Sequence, residues 1–296
     1  MKNLTLEQAC NVARRLALDE HDLRVQPVGG GDTCPTSLVL SGTATVFVKC
    51  APPERSGLLS SEADGLRALA KTGCVRVPRI LGLGQFEAED GTWLALEALD
   101  LQARSVRADE ILGRQLAALH RHTGDQHGWH RNNYLGLSVQ SNQPMQDWAA
   151  FFRDQRLAPH IERLLEQHPK RDLDLAAERL LNRWSALSAG HQPSPSLLHG
   201  DLWSGNAAAL GNDTPVIFDP AVHYGDRECD LAMVALFGGF QPAFFQAYEQ
   251  TWPLPSGWQE RRAFYQLYHL LNHANLFGGA YLDRVEHELQ QLGGRG

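Results

Sequence analysis

The sequence predicts an α+β fold in two lobes, a small β-rich N-terminal lobe and a larger, mainly helical C-terminal lobe. Three observations predict it. Over the first third of the 296 residues, short β-like runs alternate with Gly and Pro, and a single helical pattern interrupts them. Beyond Asp100 the apolar spacing becomes helical. Between those helical patterns, residues 197–220 hold short apolar runs and loops. The division is expected between residues 98 and 99, giving lobes 1–98 and 99–296.

Residues 1–20 read as an amphipathic helix and lack the uninterrupted apolar core of a secretory signal. Residues 24–28, 37–40, 45–49, 79–81 and 92–96 are rich in Val, Leu, Ile, Phe and Thr and read as strands. Ser41-Gly42-Thr43 is a hairpin turn between two of them. Residues 60–71 form the one helix of this lobe, with Leu66 and Leu69 on one side. Residues 108–121, 145–167, 173–187, 242–251 and 258–277 read as amphipathic helices. The longest apolar stretch, 231–240, is too short to span a bilayer, so no membrane partner is expected.

Composition narrows the function classes. The net charge of −7 argues against nucleic acid as the main partner, because phosphate backbones attract basic surfaces. Cys10, Cys34, Cys50, Cys74 and Cys229 form no CxxC pair and are odd in number, which fits reduced thiols in the cytoplasm. His120, His122, His127 and His130 crowd eleven residues, but no spacing among them suits zinc with a carboxylate partner. A monomer is favoured.

The chemistry lies in His199-Gly-Asp-Leu-Trp-Ser-Gly-Asn206 followed by Phe218-Asp219-Pro220. Asp201, Asn206 and Asp219 are spaced by five and then thirteen residues. This resembles the protein-kinase catalytic loop and the Asp-Phe-Gly segment after it. There the first Asp orients the attacking hydroxyl, and the Asn and second Asp hold magnesium. Each piece alone reads as a turn or a strand end; together and in order they point to phosphoryl transfer to a hydroxyl. Upstream, Lys49 ends a strand where the kinase lysine contacts ATP phosphates, and Glu62 lies thirteen residues on, where its partner glutamate belongs. Gly29, Gly30 and Gly31 sit where a phosphate-covering loop belongs. Backbone groups near Glu97 and Leu99 occupy the place of a hinge that bonds adenine. Gly82-Leu-Gly84 lacks the third glycine and the helix of a dinucleotide site.

These words, over nearly the whole chain, resemble the fructosamine-kinase (ketosamine-kinase) family, kin of the aminoglycoside and choline phosphotransferases, which share a kinase-like fold. The resemblance rests on residues 197–206 with Trp203, on Asp219-Pro-Ala221, and on Tyr224-Gly-Asp-Arg-Glu228 with Asp230-Leu-Ala232. It extends to Leu236-Phe-Gly-Gly239, to Gly128-Trp129 through Asn133, and to 267–278. It implies ATP- and Mg2+-dependent phosphorylation of the 3-hydroxyl of ketoamines, the sugar adducts of small amines or protein lysines. The phosphorylated adduct then decomposes and frees the amine. The proton acceptor would be Asp201, the metal ligands Asn206 and Asp219, and the sugar wall Trp203. His223, Tyr224 and Glu228 would line the substrate pocket, and Asp230 would brace the catalytic loop. Two other readings stay open: a kinase for an amino sugar, aminoglycoside or choline-like alcohol, and a nucleotide-binding pseudokinase. The loop 29–35 departs from the family's pattern in its Asp32 and Pro35. A thiol there, Cys34, is either a low-pKa oxidisable group or a half-buried small hydrophobe.

Overall fold

The computed structural model describes residues 4–29, 33–86 and 91–293. The chain forms two compact units, Met1–Ala108 with Ala207–Pro220, and Asp109–Asn206 with Ala221–Gly296. The first unit thus runs past the expected division at 98/99 and takes in 207–220. Local hydrogen bonds explain why. Gln102 and Ala209 exchange backbone bonds of 2.8 and 3.0 Å, Ile217 N–H donates to the Arg76 carbonyl at 3.0 Å, and Arg104 Nη1 donates to the Ala207 carbonyl at 2.5 Å.

In the first unit, helix α1 (Leu6–Arg15) starts at a reciprocal cap. Gln8 N–H donates to Thr5 Oγ1 at 3.2 Å, and Thr5 N–H donates to Gln8 Oε1 at 3.1 Å. Strands β1 (Leu23–Val28), β2 (Thr36–Ser41) and β3 (Ala44–Ala51) are followed by α2 (Ser56–Thr72), β4 (Ile80–Gln85) and β5 (Thr92–Glu97). They form one antiparallel sheet in the order β1-β2-β3-β5-β4. The β2–β3 turn holds Gly42 at φ +55°, as the hairpin reading required. Leu4, Ala9 and Val12 pack against Val39, Val46, Val48, Trp93 and Ala95 to make a core on one side of the sheet. Helix α2 packs on β3, β4 and β5 and stops at Gly73 in the left-handed region. The Gly82-Leu-Gly84 segment has a packing role. A Cβ on Gly84 would lie 2.7 Å from the Trp93 ring, so the indole needs a bare backbone beneath it.

The second unit is mainly helical. Helix α3 (Val106–Leu119) leads into a short ribbon, Asn133–Leu135 with Ser138–Gln140. Helices α4 (Trp148–Phe152), α5 (Ala158–Gln167) and α6 (Arg171–Leu187) follow, then α7 (Glu228–Phe237), α8 (Pro242–Thr251), α9 (Trp258–Phe277) and α10 (Ala280–Leu292). Trp148, Phe152, Trp184, Phe264, Tyr265 and Leu271 are central to its core. The helix expected over 145–167 is divided by a π-helical turn, Arg153–Leu157. Pro159 has no N–H for the carbonyl of Gln155, four residues back, and Arg156 Nη1 donates to that carbonyl at 3.0 Å instead. Helix α7 gave no periodic signal because Glu228–Val234 is buried all round. Helix α10 follows Gly278 and Gly279, both at positive φ, where the last periodic segment ended. Among the described residues no helix is long and apolar enough to cross a membrane.

Candidate active site

The first unit joins three of the expected residues. Lys49 on β3 has a side chain 9% exposed, and a buried lysine needs partners. Its Nζ lies 2.8 Å from Glu62 Oε1 on α2 and also pairs with Asp219 Oδ1. Burial opposes the charge on the ammonium, but Asp219 and Glu62 outweigh it and raise the pKa of Lys49. Burial lifts the Glu62 carboxyl to about 7 against the pull of Lys49, with Asp219 adding to the rise. Asp219 stands at φ +57°, a conformation Asp adopts more readily than most residues.

The Cys34 thiol, 5% exposed, is pushed up by burial, and the nearby Lys49 does not compensate. That corrects the low-pKa expectation in favour of the small buried hydrophobe. At the expected hinge, Glu97 receives Arg76 Nη2 and, at 3.0 Å, Arg79 Nε. Burial raises its pKa, but the bonds from Arg79 and Arg76 lower it further. The Glu97 N–H donates to Arg79, and the Leu99 carbonyl accepts from Leu101, both at 3.0 Å. Gly29 is exposed, with nothing within 4 Å of a Cβ built on it. Gly30 and Gly31 lie outside the described residues.

In the second unit, strand Ser196–Leu198 pairs with His223–Gly225 and delivers the chain into the His199–Asp201 turn. Gly200 has φ +84°, and a Cβ on it would lie 2.1 Å from the Ala221 carbonyl, so only glycine fits. The Asp230 carboxylate pins this turn: it accepts from His199 N–H at 2.7 Å and from Gly200 N–H at 2.8 Å. Asn206 Nδ2 donates to the Asp201 carbonyl at 2.9 Å and to Asp201 Oδ2 at 3.2 Å. The five-residue spacing thus closes a ring around residues 201–206. The Trp203 ring lies across Gly205, where a Cβ would be 2.4 Å away.

Of the expected substrate residues, Trp203 and Tyr224 are half-buried, and Tyr224 lies 5.4 Å from Trp129 between ring centroids. His223 and Glu228 are corrected to core positions. His223 is 4% exposed, stacks on Phe151, and its pKa is lowered well below the usual value by burial and then by Arg156. Glu228 is fully buried, and Arg261 donates to both its carboxylate oxygens, at 2.8 and 2.6 Å. The strand and helix beside the metal-type Asp turn these two side chains inward, which position in the sequence did not reveal.

Sequence reasoning missed the support behind Asp230. His120 Nε2 bonds Asp230 Oδ2 at 3.1 Å, its Nδ1 bonds Tyr248 Oη at 2.8 Å, and Arg227 Nη1 donates to Tyr248 Oη at 3.2 Å. A carboxylate only accepts, so Nε2 carries a hydrogen, and Tyr248 Oη, which accepts from Arg227, can donate to Nδ1 of the neutral ring. The histidine-rich stretch held the signal for His120, but nothing in the sequence singles out Tyr248. Tyr248→Phe is expected to cost about 2 kcal/mol of stability, because it strands buried donors and acceptors. Thermal unfolding checks this, and an unchanged Tm would show that the relay bears no strain. A second cluster, His191, Asp226 and Glu228, has metal-like spacing. Its carboxylates are already bonded by His191, Tyr265 and Arg261.

The fold is that of the kinase-like phosphotransferases. Choline kinase LicA from Streptococcus pneumoniae shares it with a TM-score of 0.63 over 95% of this chain and 97% of that one, at 14% identity. A crystal structure from Haemophilus somnus described as a "Putative fructosamine-3-kinase" has a TM-score of 0.86 over 97% and 96% of the two chains, at 29% identity. A Vibrio cholerae protein named "Probable ketoamine kinase" is 38% identical over 291 residues, 95% of this chain and 96% of its own. The family model for fructosamine kinase matches residues 9–293. The chain belongs to the fructosamine kinase family and is an enzyme of the kinase class.

Proposed function

We propose that the protein transfers the γ-phosphoryl group of ATP to the 3-hydroxyl of ketoamines formed on small amines or protein lysines, and so promotes their breakdown to the free amine. The observation that carries this reading is the Asp201 side chain, tied by Asn206 at 3.2 Å within a turn whose amides are pinned by Asp230. A carboxylate held in one orientation can accept the hydroxyl hydrogen and take the proton as the oxygen attacks phosphorus and ADP leaves. Lys49, oriented by Glu62, binds phosphate oxygens. Backbone groups near Glu97 and Leu99 hold adenine, and Gly29, Gly30 and Gly31 cover the phosphates.

Asn206 and Asp219 offer the oxygen donors that magnesium takes, and would hold the ion. When bound, the metal neutralises charge on the phosphate oxygens. Trp203 walls the sugar, with Tyr224 beside it. A cytoplasmic location and a monomeric state are part of this proposal.

A coupled assay of ADP release against ribulosamine, fructosamine and aminoglycoside acceptors tests the reading. Magnesium-dependent turnover with the ketoamines is expected. Turnover with the aminoglycoside alone would move the acceptor to the antibiotic class. Stabilisation by ATP without turnover of any acceptor would leave a nucleotide-binding protein.

A further inference from the structure

The motif Leu-Phe-Gly-Gly occurs twice, at 236–239 and 276–279. Phe237 is the last residue of α7 and Phe277 the last of α9, each followed by two glycines at positive φ. A Cβ on Gly238, Gly278 or Gly279 would meet nothing within 4 Å, so open space borders these positions. The rings are connected. Trp203 meets Phe237 edge-to-face at 6.2 Å between centroids, and Phe237 lies 5.2 Å from His273. His273 in turn lies 5.8 Å from Phe277 and 4.9 Å from Tyr281 of α10. Phe277 is 62% exposed, the highest value among the exposed large hydrophobics of the described residues. Phe151, Phe152, Phe244 and Phe264 of the same unit are all buried. Phe277 is continuous with the half-buried rings of Trp203, Phe237 and His273, so it belongs to a connected aromatic surface rather than standing alone.

We infer that this aromatic row receives the amine moiety of the acceptor, and that it favours ketoamines of aromatic or long apolar amines. The inference rests on the proposed function, in which Trp203 walls the sugar two residues beyond Asp201. A ketoamine carries its nitrogen at the end of the sugar next to the reacting hydroxyl, and that nitrogen is a cation at neutral pH. Aromatic faces attract such a cation and stack on flat or apolar groups attached to it. Beyond Trp203 the row runs through Phe237 and His273 to Phe277 in centroid steps of 6.2, 5.2 and 5.8 Å.

The test compares kcat/KM for the ribulose ketoamines of phenethylamine and of methylamine. Wild type is expected to prefer the first, and Phe277→Ala to lower that preference roughly tenfold. Phe277→Tyr should restore it, and Val139→Ala, an exposed apolar change on the ribbon, should leave it as in wild type. A preference unchanged in Phe277→Ala, with both acceptors turned over, overturns the inference and leaves the proposed function standing. No turnover of either acceptor overturns both. A wild-type dimer that Phe277→Ala dissolves assigns the row to a second copy of the chain instead.

Discussion

Asp201→Asn is expected to lower kcat for ketoamine phosphorylation by about a thousandfold or more, equivalent to about 4 kcal/mol of barrier. The amide keeps the size and can still accept from Asn206 Nδ2, so the turn held by Asp230 should survive. What is lost, on the proposed reading, is the basic oxygen that would take the hydroxyl proton. ATP should therefore stabilise the variant against heat as it does wild type, with the KM for ATP within a few fold. A kcat within tenfold of wild type would remove Asp201 from the chemistry, even if ADP release stayed ketoamine-dependent.

The second large effect is on stability in acid. Burial lowers the pKa of His127 and His160 to about 4 and that of His269 to about 3, and lowers His223 well below its usual value. A base whose folded pKa is depressed stabilises the fold above its unfolded value, near 6.5, and loses that contribution as pH falls. Each such histidine withdraws about 1.4 kcal/mol per pH unit below 6.5. Glu62, raised to about 7, and Glu228, also raised by burial, act in the opposite sense because their folded forms bind protons that the unfolded chain releases. The four histidine losses exceed the opposing carboxyl gains, so stability is expected to fall by about 2 kcal/mol from pH 6.5 to 5.5, a sizeable share of typical stability. Scanning calorimetry should show Tm dropping by roughly 4 °C over that interval. A Tm that is level or rises would mean that the four rings are protonated in the native state.

Much of the chemistry was legible because it rests on local spacing. Asn206 reaches Asp201 across five residues, and Glu62 meets Lys49 because one helix follows one strand in the same small unit. The strands and the hairpin at Gly42 were legible for the same reason: apolar alternation and a turn residue act over a few positions. What stayed hidden depends on three-dimensional burial. Helix α7 is buried on nearly all sides and carries no period, and Pro159 converts one helical pattern into two helices and a π turn. Tyr224, His223 and Glu228 look alike beside Asp219 in the sequence, yet only the tyrosine is left half-exposed. Cys34 had two open readings in the sequence, a reactive thiol or a small hydrophobe, and burial favours the second.

The double engagement of Lys49 has a consequence for the resting protein. Its ammonium serves Glu62 and Asp219 at once, so the aspartate carries an internal counter-ion. Only Oδ1 of Asp219 is paired with the lysine and the side chain is 40% exposed, so an external cation at Asp219 would share the carboxylate with Lys49 and weaken their attraction. On the proposed reading, phosphate oxygens bound beside the cation would compensate the Lys49 ammonium, so metal and phosphate would bind more favourably together than either alone.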